Sequence, residues 1–150
     1  MNQSPDLSAE RIESLKAGIL SALSLTFSYG ITTLGNSWVL AQFEGLAALQ
    51  STNITNLLVK VAIAFFSGFL FGITYRYIIR DDQNSHLKEG AVLAFGLVRG
   101  LAPVEVETNL AESFWVLGVL GVESIVYFTL ARFTLDWALH HHWVKPFKSG

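Results

Sequence analysis

An uncharged run dominates the N-terminal part of the chain. No residue between Ala17 and Phe43 carries a charge, and about 20 mostly apolar residues suffice for a helix to cross a bilayer. We therefore predict a first membrane span that begins between Ile12 and Ala17, with Trp38 as an anchor at the headgroup level. The composition agrees, because 51% of the residues are hydrophobic and only 15% are charged, against about 25% in a soluble domain.

Three further apolar runs approach the length of a membrane span: Asn56–Ile79, His86–Val106 and Ser113–Trp143. The third of the four runs is the least apolar, since it contains Arg99 and ends near Pro103. Hydropathy alone would also allow this run to be a re-entrant segment. The distribution of charge must therefore decide whether it crosses.

Cations are absent from two of the segments that connect these runs. The loop after the first span has none before Lys60, and the loop from Pro103 to Glu112 has none. Lys and Arg collect on the cytoplasmic side of membrane proteins. The remaining segments supply eight of the ten cations: Arg11, Lys16, Arg76, Arg80, Lys88, Arg132, Lys145 and Lys148. We predict an all-α, polytopic integral membrane protein with four transmembrane helices and with both N- and C-termini inside. A soluble bundle of buried helices is the alternative.

The expected organisation is one membrane domain, residues 12–143, between a polar N-terminal tail, residues 1–11, and a basic C-terminal tail, residues 144–150. The lipid bilayer is its first partner. A net charge of -2 gives no indication of a nucleic-acid partner. The chain has no cysteine, which excludes disulfides and thiolate chemistry.

Small residues recur at helical spacing in the predicted spans. Gly68 and Gly72 form a GxxxG pattern in the second span, and Gly96 and Gly100 form another in the third. Small residues allow helix backbones to approach closely in lipid, where the hydrophobic drive between helices is weak. We expect these glycines to pack helices within the monomer, and the alternative is a face for a partner protein or a second copy.

Three charged residues lie within the predicted spans. They are Arg99, Glu123 and Lys60, and a charge inside a membrane needs a partner or water. Arg99 and Glu123 lie on consecutive spans, with an axial offset of about 10 Å if their connecting loop is symmetric. Two interpretations stay open: a structural clasp between the helices, or a polar site for an ion, a proton, an anionic headgroup or a substrate.

The segment Tyr75–Gly90 connects the second and third spans. We interpret it as an inner turn in which Asn84 or Ser85 caps the following helix. A docking surface for a partner or for anionic lipid headgroups is the alternative. That surface would consist of Arg76, Arg80, Asp82, Asn84 and Lys88.

We find no nucleophile paired with a base, no phosphate-binding loop and no zinc spacing in the sequence, and we therefore expect no enzymatic activity. His140, His141 and His142 are consecutive, so a regular helix cannot direct all three at one metal ion. We predict no metal site and identify no cofactor, and a bound lipid or pigment stays open.

The stretch "YRYIIRDDQNSHLKEGAVLAFGLVRGLAPVE" resembles a segment of uncharacterised four-span membrane proteins of cyanobacteria and chloroplasts. The residues that carry the resemblance are Arg76, Tyr77, Arg80, Asp82, Asn84, Leu87, Gly90, Ala94, Phe95, Leu97, Arg99 and Gly100. It implies a thylakoid or plasma membrane of an oxygenic phototroph, and it implies no activity.

Two functions are compatible with these features. The first is a small accessory, assembly or scaffold protein of a larger membrane complex, with membrane-protein partners or as a homo-oligomer. The resemblance implies that this complex is a photosynthetic one. The alternative is an oligomeric transporter or channel for a small solute or an ion that uses Arg99 and Glu123.

Overall fold

Four helices make up the regular structure in a computed structural model that describes residues 7–40, 53–79, 84–102 and 110–147. The side chains of residues 39–40 and 110–113 are outside this description. The helices are α1 (Leu7–Leu40), α2 (Ile54–Ile79), α3 (Ser85–Leu101) and α4 (Leu110–His140). The all-α prediction is confirmed for the described ranges.

Three of these helices are long and apolar enough to cross a membrane. The candidate segments are Leu7–Trp38, Ile54–Ile79 and Phe114–His140, and their length and composition support the prediction of a membrane protein. Helix α3 has 17 residues, or a length of about 25 Å at 1.5 Å per residue. That is somewhat shorter than the bilayer core of about 30 Å.

Consecutive helices run in opposite directions, so the start of α1 and the residues after α4 lie at the same end of the bundle. Arg76 near the end of α2 contacts both Glu10 of α1 and the backbone of Lys145. Lys88 near the start of α3 contacts Asp136 of α4 at the same end. We name this the terminal end, and the opposite end, where α1 finishes and α2 begins, the distal end.

Glycines set the distance between α1 and α2. A Cβ atom built on Gly68 would lie 2.9 Å from the Cα of Ala22, and one on Gly72 would lie 2.7 Å from the Cβ of Ser21. Real side chains do not approach so closely, so only glycine permits this contact.

Helices α3 and α4 meet in the same way. A Cβ on Gly96 would lie 2.9 Å from the Cα of Ile125, and one on Gly100 would lie 2.6 Å from the Cα of Gly121. The structure thus places both GxxxG pairs at contacts between helices of one monomer.

An aromatic cluster fills the centre of the bundle. The ring of Phe71 on α2 lies 5.1 Å from the ring of Phe128 on α4 and 5.4 Å from that of Phe95 on α3. The ring of Tyr75 lies 5.3 Å from Phe71 as well. These separations are typical of favourable aromatic pairs, and they connect three helices at one level.

Packing is tighter towards the terminal end than towards the distal end. In α1 the last buried residue is Ser28, and in α2 the first is Ala64. The described distal parts of both helices, residues 29–38 and 54–63, therefore contain no buried residue. The α1–α2 side of the bundle is thus closed at the terminal end and open at the distal end, whereas α3 and α4 stay in contact there, with Gly100 and Gly121 buried.

Residues after α4 belong to the packed structure. The φ of His142 is 59°, and the amide of Trp143 donates to the carbonyl oxygen of Ala138 at 2.9 Å. This Schellman-type end reverses the chain and leaves Val144 only 1% exposed. Residues 144–147, within the predicted basic C-terminal tail, therefore pack against the bundle, and residues 148–150 lie outside the described residues. At the other terminus α1 already begins at Leu7, within the predicted polar tail.

The outward surface of α1 is a continuous apolar stripe. Its members recur every three or four residues and are between 42% and 83% exposed: Ile12, Leu15, Ile19, Leu23, Phe27, Ile31, Leu34 and Trp38. Such a surface is unfavourable in water and is typical of a helix that faces lipid or another apolar surface. We keep the name α1 stripe for these residues.

The glycine contacts generate a test. We expect Gly72→Ala to lower the free energy of unfolding by about 1–3 kcal/mol, because the added methyl overpacks the α1–α2 contact. Gly118 has nothing within 4 Å of a built Cβ, so Gly118→Ala should leave stability unchanged or raise it by up to about 1 kcal/mol. Unfolding in mixed micelles by titration with dodecyl sulfate measures both. Equal stability of the two variants would contradict the close contact.

Candidate polar sites

Arg99 of α3 lies over two tyrosine rings that contact each other. Its Cζ atom is 5.6 Å from the ring centroid of Tyr29 on α1 and 5.5 Å from that of Tyr127 on α4. A guanidinium at this distance from a ring is attracted by the negative face of the π system. The two rings themselves meet edge to face at 6.1 Å, so one cation holds α1, α3 and α4 together.

Glu123 lies beside this arrangement with partners of its own. The side-chain amide of Asn36 donates to one carboxylate oxygen at 3.0 Å, and the Tyr127 hydroxyl faces the other at 3.4 Å. We name Tyr29, Asn36, Arg99, Glu123 and Tyr127 the distal polar group. Their side chains come from three helices, and Tyr127 contacts both charged members.

Within the described chain, no nitrogen of Arg99 lies within 4.0 Å of a Glu123 oxygen. The clasp interpretation therefore takes an indirect form, in which Tyr127 joins the two charges. The expected axial offset of about 10 Å was wrong, since Gly96 lies opposite Ile125 and Gly100 opposite Gly121. This register brings Arg99 level with Glu123, because α4 extends well beyond the distal end of α3.

The third predicted member of the site, Lys60, lies on the exposed surface of α2, near the distal start of that helix. Sequence reasoning missed Tyr29, Asn36 and Tyr127. Tyr127 follows Glu123 by four residues and therefore lies on the same helix face. Asn36 is an amide within an uncharged run. The spacing of Tyr127 and the polar character of Asn36 are visible in the sequence, but neither shows which residue of another helix lies beside it.

Arg76 forms the centre of a second network at the terminal end. Its Nε donates to the carbonyl oxygen of Lys145 at 2.8 Å, and one Nη donates to the Ser14 hydroxyl at 2.7 Å and to the Glu10 carbonyl at 3.2 Å. The other Nη donates to the Glu10 carboxylate. The residue is 2% exposed. Arg76 therefore binds α1, α2 and the C-terminal segment to one another and is not part of an exposed docking surface.

Asp136 contacts three more polar groups at the same end. The Tyr75 hydroxyl donates to it at 2.7 Å, Lys88 lies at 3.3 Å and Arg132 at 3.6 Å. Lys88 thus contacts α4, and Asn84 caps α3 by accepting from the His86 amide at 3.0 Å. Arg80 and Asp82, the other predicted docking residues, lie outside the described residues.

A groove with a volume of about 380 Å³ runs between α1 and α4. Apolar side chains and hydroxyl groups line it: Ser24, Phe27, Ser28, Ile31, Thr32, Val126, Tyr127, Leu130, Phe133 and Thr134. The hydroxyls already have partners inside the bundle. Ser24 and Thr134 bond to each other at 2.9 Å, and Ser28 and Thr32 donate to the preceding helical turn.

No protein family matches the chain, and no curated protein or solved structure matches it either. In the described ranges, no three His, Cys, Asp or Glu side chains are grouped so that they could hold a metal ion.

The Arg76 network generates a stability test. We expect Arg76→Gln to lower the free energy of unfolding by about 3–5 kcal/mol, because it leaves the Glu10 carboxylate without its buried partner. Lys16 is the matched control, since it pairs with Glu13 at 2.7 Å but its side chain is 52% exposed. Lys16→Gln should cost less than about 1 kcal/mol. Similar losses in the two variants would contradict a structural role for Arg76.

Proposed function

We propose that this protein is an accessory or scaffold subunit of a larger membrane complex, with four membrane spans and both termini in the cytoplasm. Its location in this proposal is a plasma or thylakoid membrane. The proposal includes α3 as a fourth span that crosses with its polar start at the terminal end.

One observation carries the proposal: the charges of the terminal end serve internal contacts, whereas the outward surfaces are apolar. Arg76 and Asp136 are surrounded by groups of the same chain. A third or less of each candidate spanning segment is buried inside the bundle. The remaining surface, including the α1 stripe, is available to lipid or to the helices of a partner.

The closed terminal end also favours a scaffold over a channel. A path along the bundle axis would have to pass Phe71, Tyr75, Phe128 and Leu135, which are at most 1% exposed. These side chains are packed against each other, so conduction would require them to separate. Rigid internal packing and an apolar exterior suit a subunit that positions other subunits.

A transporter is the second candidate, and the distal polar group favours it. Arg99 and Glu123 are partly exposed rather than fully buried, and intramembrane charges often mark a pathway for ions or protons. A transporter would move a solute from this open end through a rearranged terminal end.

Purification of the tagged chain from its native membrane in a mild detergent separates the two candidates. The scaffold proposal predicts co-purifying membrane subunits in a fixed ratio, identified by mass spectrometry. Replacing Leu23 and Phe27 of the α1 stripe by alanine should reduce that ratio, because both side chains are exposed on the outward surface of α1. The control replaces Ile63 and Phe66, exposed on α2, and measures whether the loss is specific to α1.

A flux measurement in liposomes can contradict the scaffold proposal. A homo-oligomer without other subunits, whose reconstituted solute or ion flux disappears in Glu123→Gln, would contradict the scaffold proposal and support the transporter.

A further inference from the structure

We propose that the distal polar group binds a phosphate group through the guanidinium of Arg99. The inference goes beyond the accessory role and does not depend on it. It rests on three features of the site: the position of the guanidinium over two rings, its unused donors, and the separate partners of Glu123.

The two rings cover the guanidinium without using its hydrogen-bond donors. Tyr29 and Tyr127 lie 5.6 and 5.5 Å from the Cζ atom, where they attract its charge. The five N–H groups of arginine lie in the guanidinium plane and form a rigid fork. Contact with ring faces holds the cation in place and leaves this fork to another acceptor.

Arg99 donates no hydrogen bond in the described part of the chain, and its Nε is buried. Arg76 provides the comparison within the same protein, because all three of its nitrogens have acceptors. A buried charged donor without an acceptor is unfavourable. The two Nη groups of Arg99 also donate no hydrogen bond in the described chain and are not enclosed as Nε is, so they are the donors open to an incoming anion, whereas Arg76 has no donor to offer.

The Glu123 carboxylate does not serve as that acceptor. Asn36 holds one of its oxygens at 3.0 Å, and the Tyr127 hydroxyl faces the other at 3.4 Å. Glu123 is thereby directed away from direct contact with Arg99. Its negative charge remains close, so it should weaken the binding of an anion without preventing it.

The chemistry and the position of the site favour a phosphate. An arginine fork matches two oxygens of a phosphate in a bidentate pair. The site is partly exposed at the distal end, where residues 29–38 of α1 and 54–63 of α2 contain no buried residue. A phosphate there can come from a lipid headgroup or from solution, and the two sources share this chemistry.

Equilibrium binding to the full chain in a phosphate-free detergent tests the proposal. One titration uses inorganic phosphate and the other a short-chain phosphatidylglycerol, each followed by calorimetry and by phosphorus NMR line widths. We expect Arg99→Gln to weaken binding at least about tenfold, since a hydrogen bond to a charged group is lost. Arg99→Lys should bind with intermediate affinity, because it keeps the charge but loses the fork.

Two further variants make the test specific. Glu123→Gln should strengthen binding, because it removes a nearby negative charge. Arg132→Gln is the matched control at the terminal end, where Arg132 faces Asp136 at 3.6 Å, and it should leave the affinity unchanged. Circular dichroism and unfolding in mixed micelles verify that each variant is folded.

The outcomes distinguish a lipid headgroup from free phosphate as the ligand, and some of them would overturn the proposal. Binding of both probes supports a site for the phosphate group itself, and binding of the lipid alone supports a headgroup site. No binding by the wild-type chain, the same affinity in folded Arg99→Lys and in the wild type for both probes, or weaker binding in Glu123→Gln would overturn the proposal.

Discussion

Helix backbones that approach at glycine determine the rest of this structure. In lipid, helices gain little from hydrophobic burial against each other, so close van der Waals contact must hold them. Gly72 against Ser21 joins α1 to α2, and Gly100 against Gly121 joins α3 to α4. The α1–α2 contact lies in the terminal part of both helices. Further towards the distal end, residues 29–38 of α1 and 54–63 of α2 contain no buried residue, and the distal polar group lies at this opening.

Much of this fold could be predicted from the sequence, because each part depends on local pattern. Long apolar runs predicted the helices, the GxxxG spacing of Gly68 and Gly72 indicated a packing face, and Asn84 was an expected cap. The contacts within the polar sites depend on how the helices are aligned along one another. Local sequence patterns do not specify that alignment. The alternative interpretation of Tyr75–Gly90 as a docking surface includes Arg76, because its partners, Glu10 and the Lys145 carbonyl, are remote in sequence. The offset between Arg99 and Glu123 was wrong for the same reason.

The two ends of the bundle use similar side chains for different purposes. Arg76 at the terminal end has an acceptor for each nitrogen and connects α1, α2 and the C-terminal segment. Arg99 at the distal end is held by rings, and its donors have no acceptor in the described chain. The first arrangement is that of a structural residue, and the second is that of a residue ready for a ligand. Together they are compatible with a rigid subunit that presents apolar sides to its neighbours and one polar opening to a phosphate group.

Accessibility to water along the bundle tests the central claim of a closed terminal end and an open distal end. The chain has no cysteine, so single cysteines can be introduced at Thr33, on the face of α1 that carries Tyr29 and Asn36, and at Ala131, which is 0% exposed. A charged, membrane-impermeant thiol reagent is then applied to the protein in liposomes. We predict rapid reaction at position 33, from one side of the membrane only, and no reaction at position 131. Reaction at both positions, or at neither, would contradict this account.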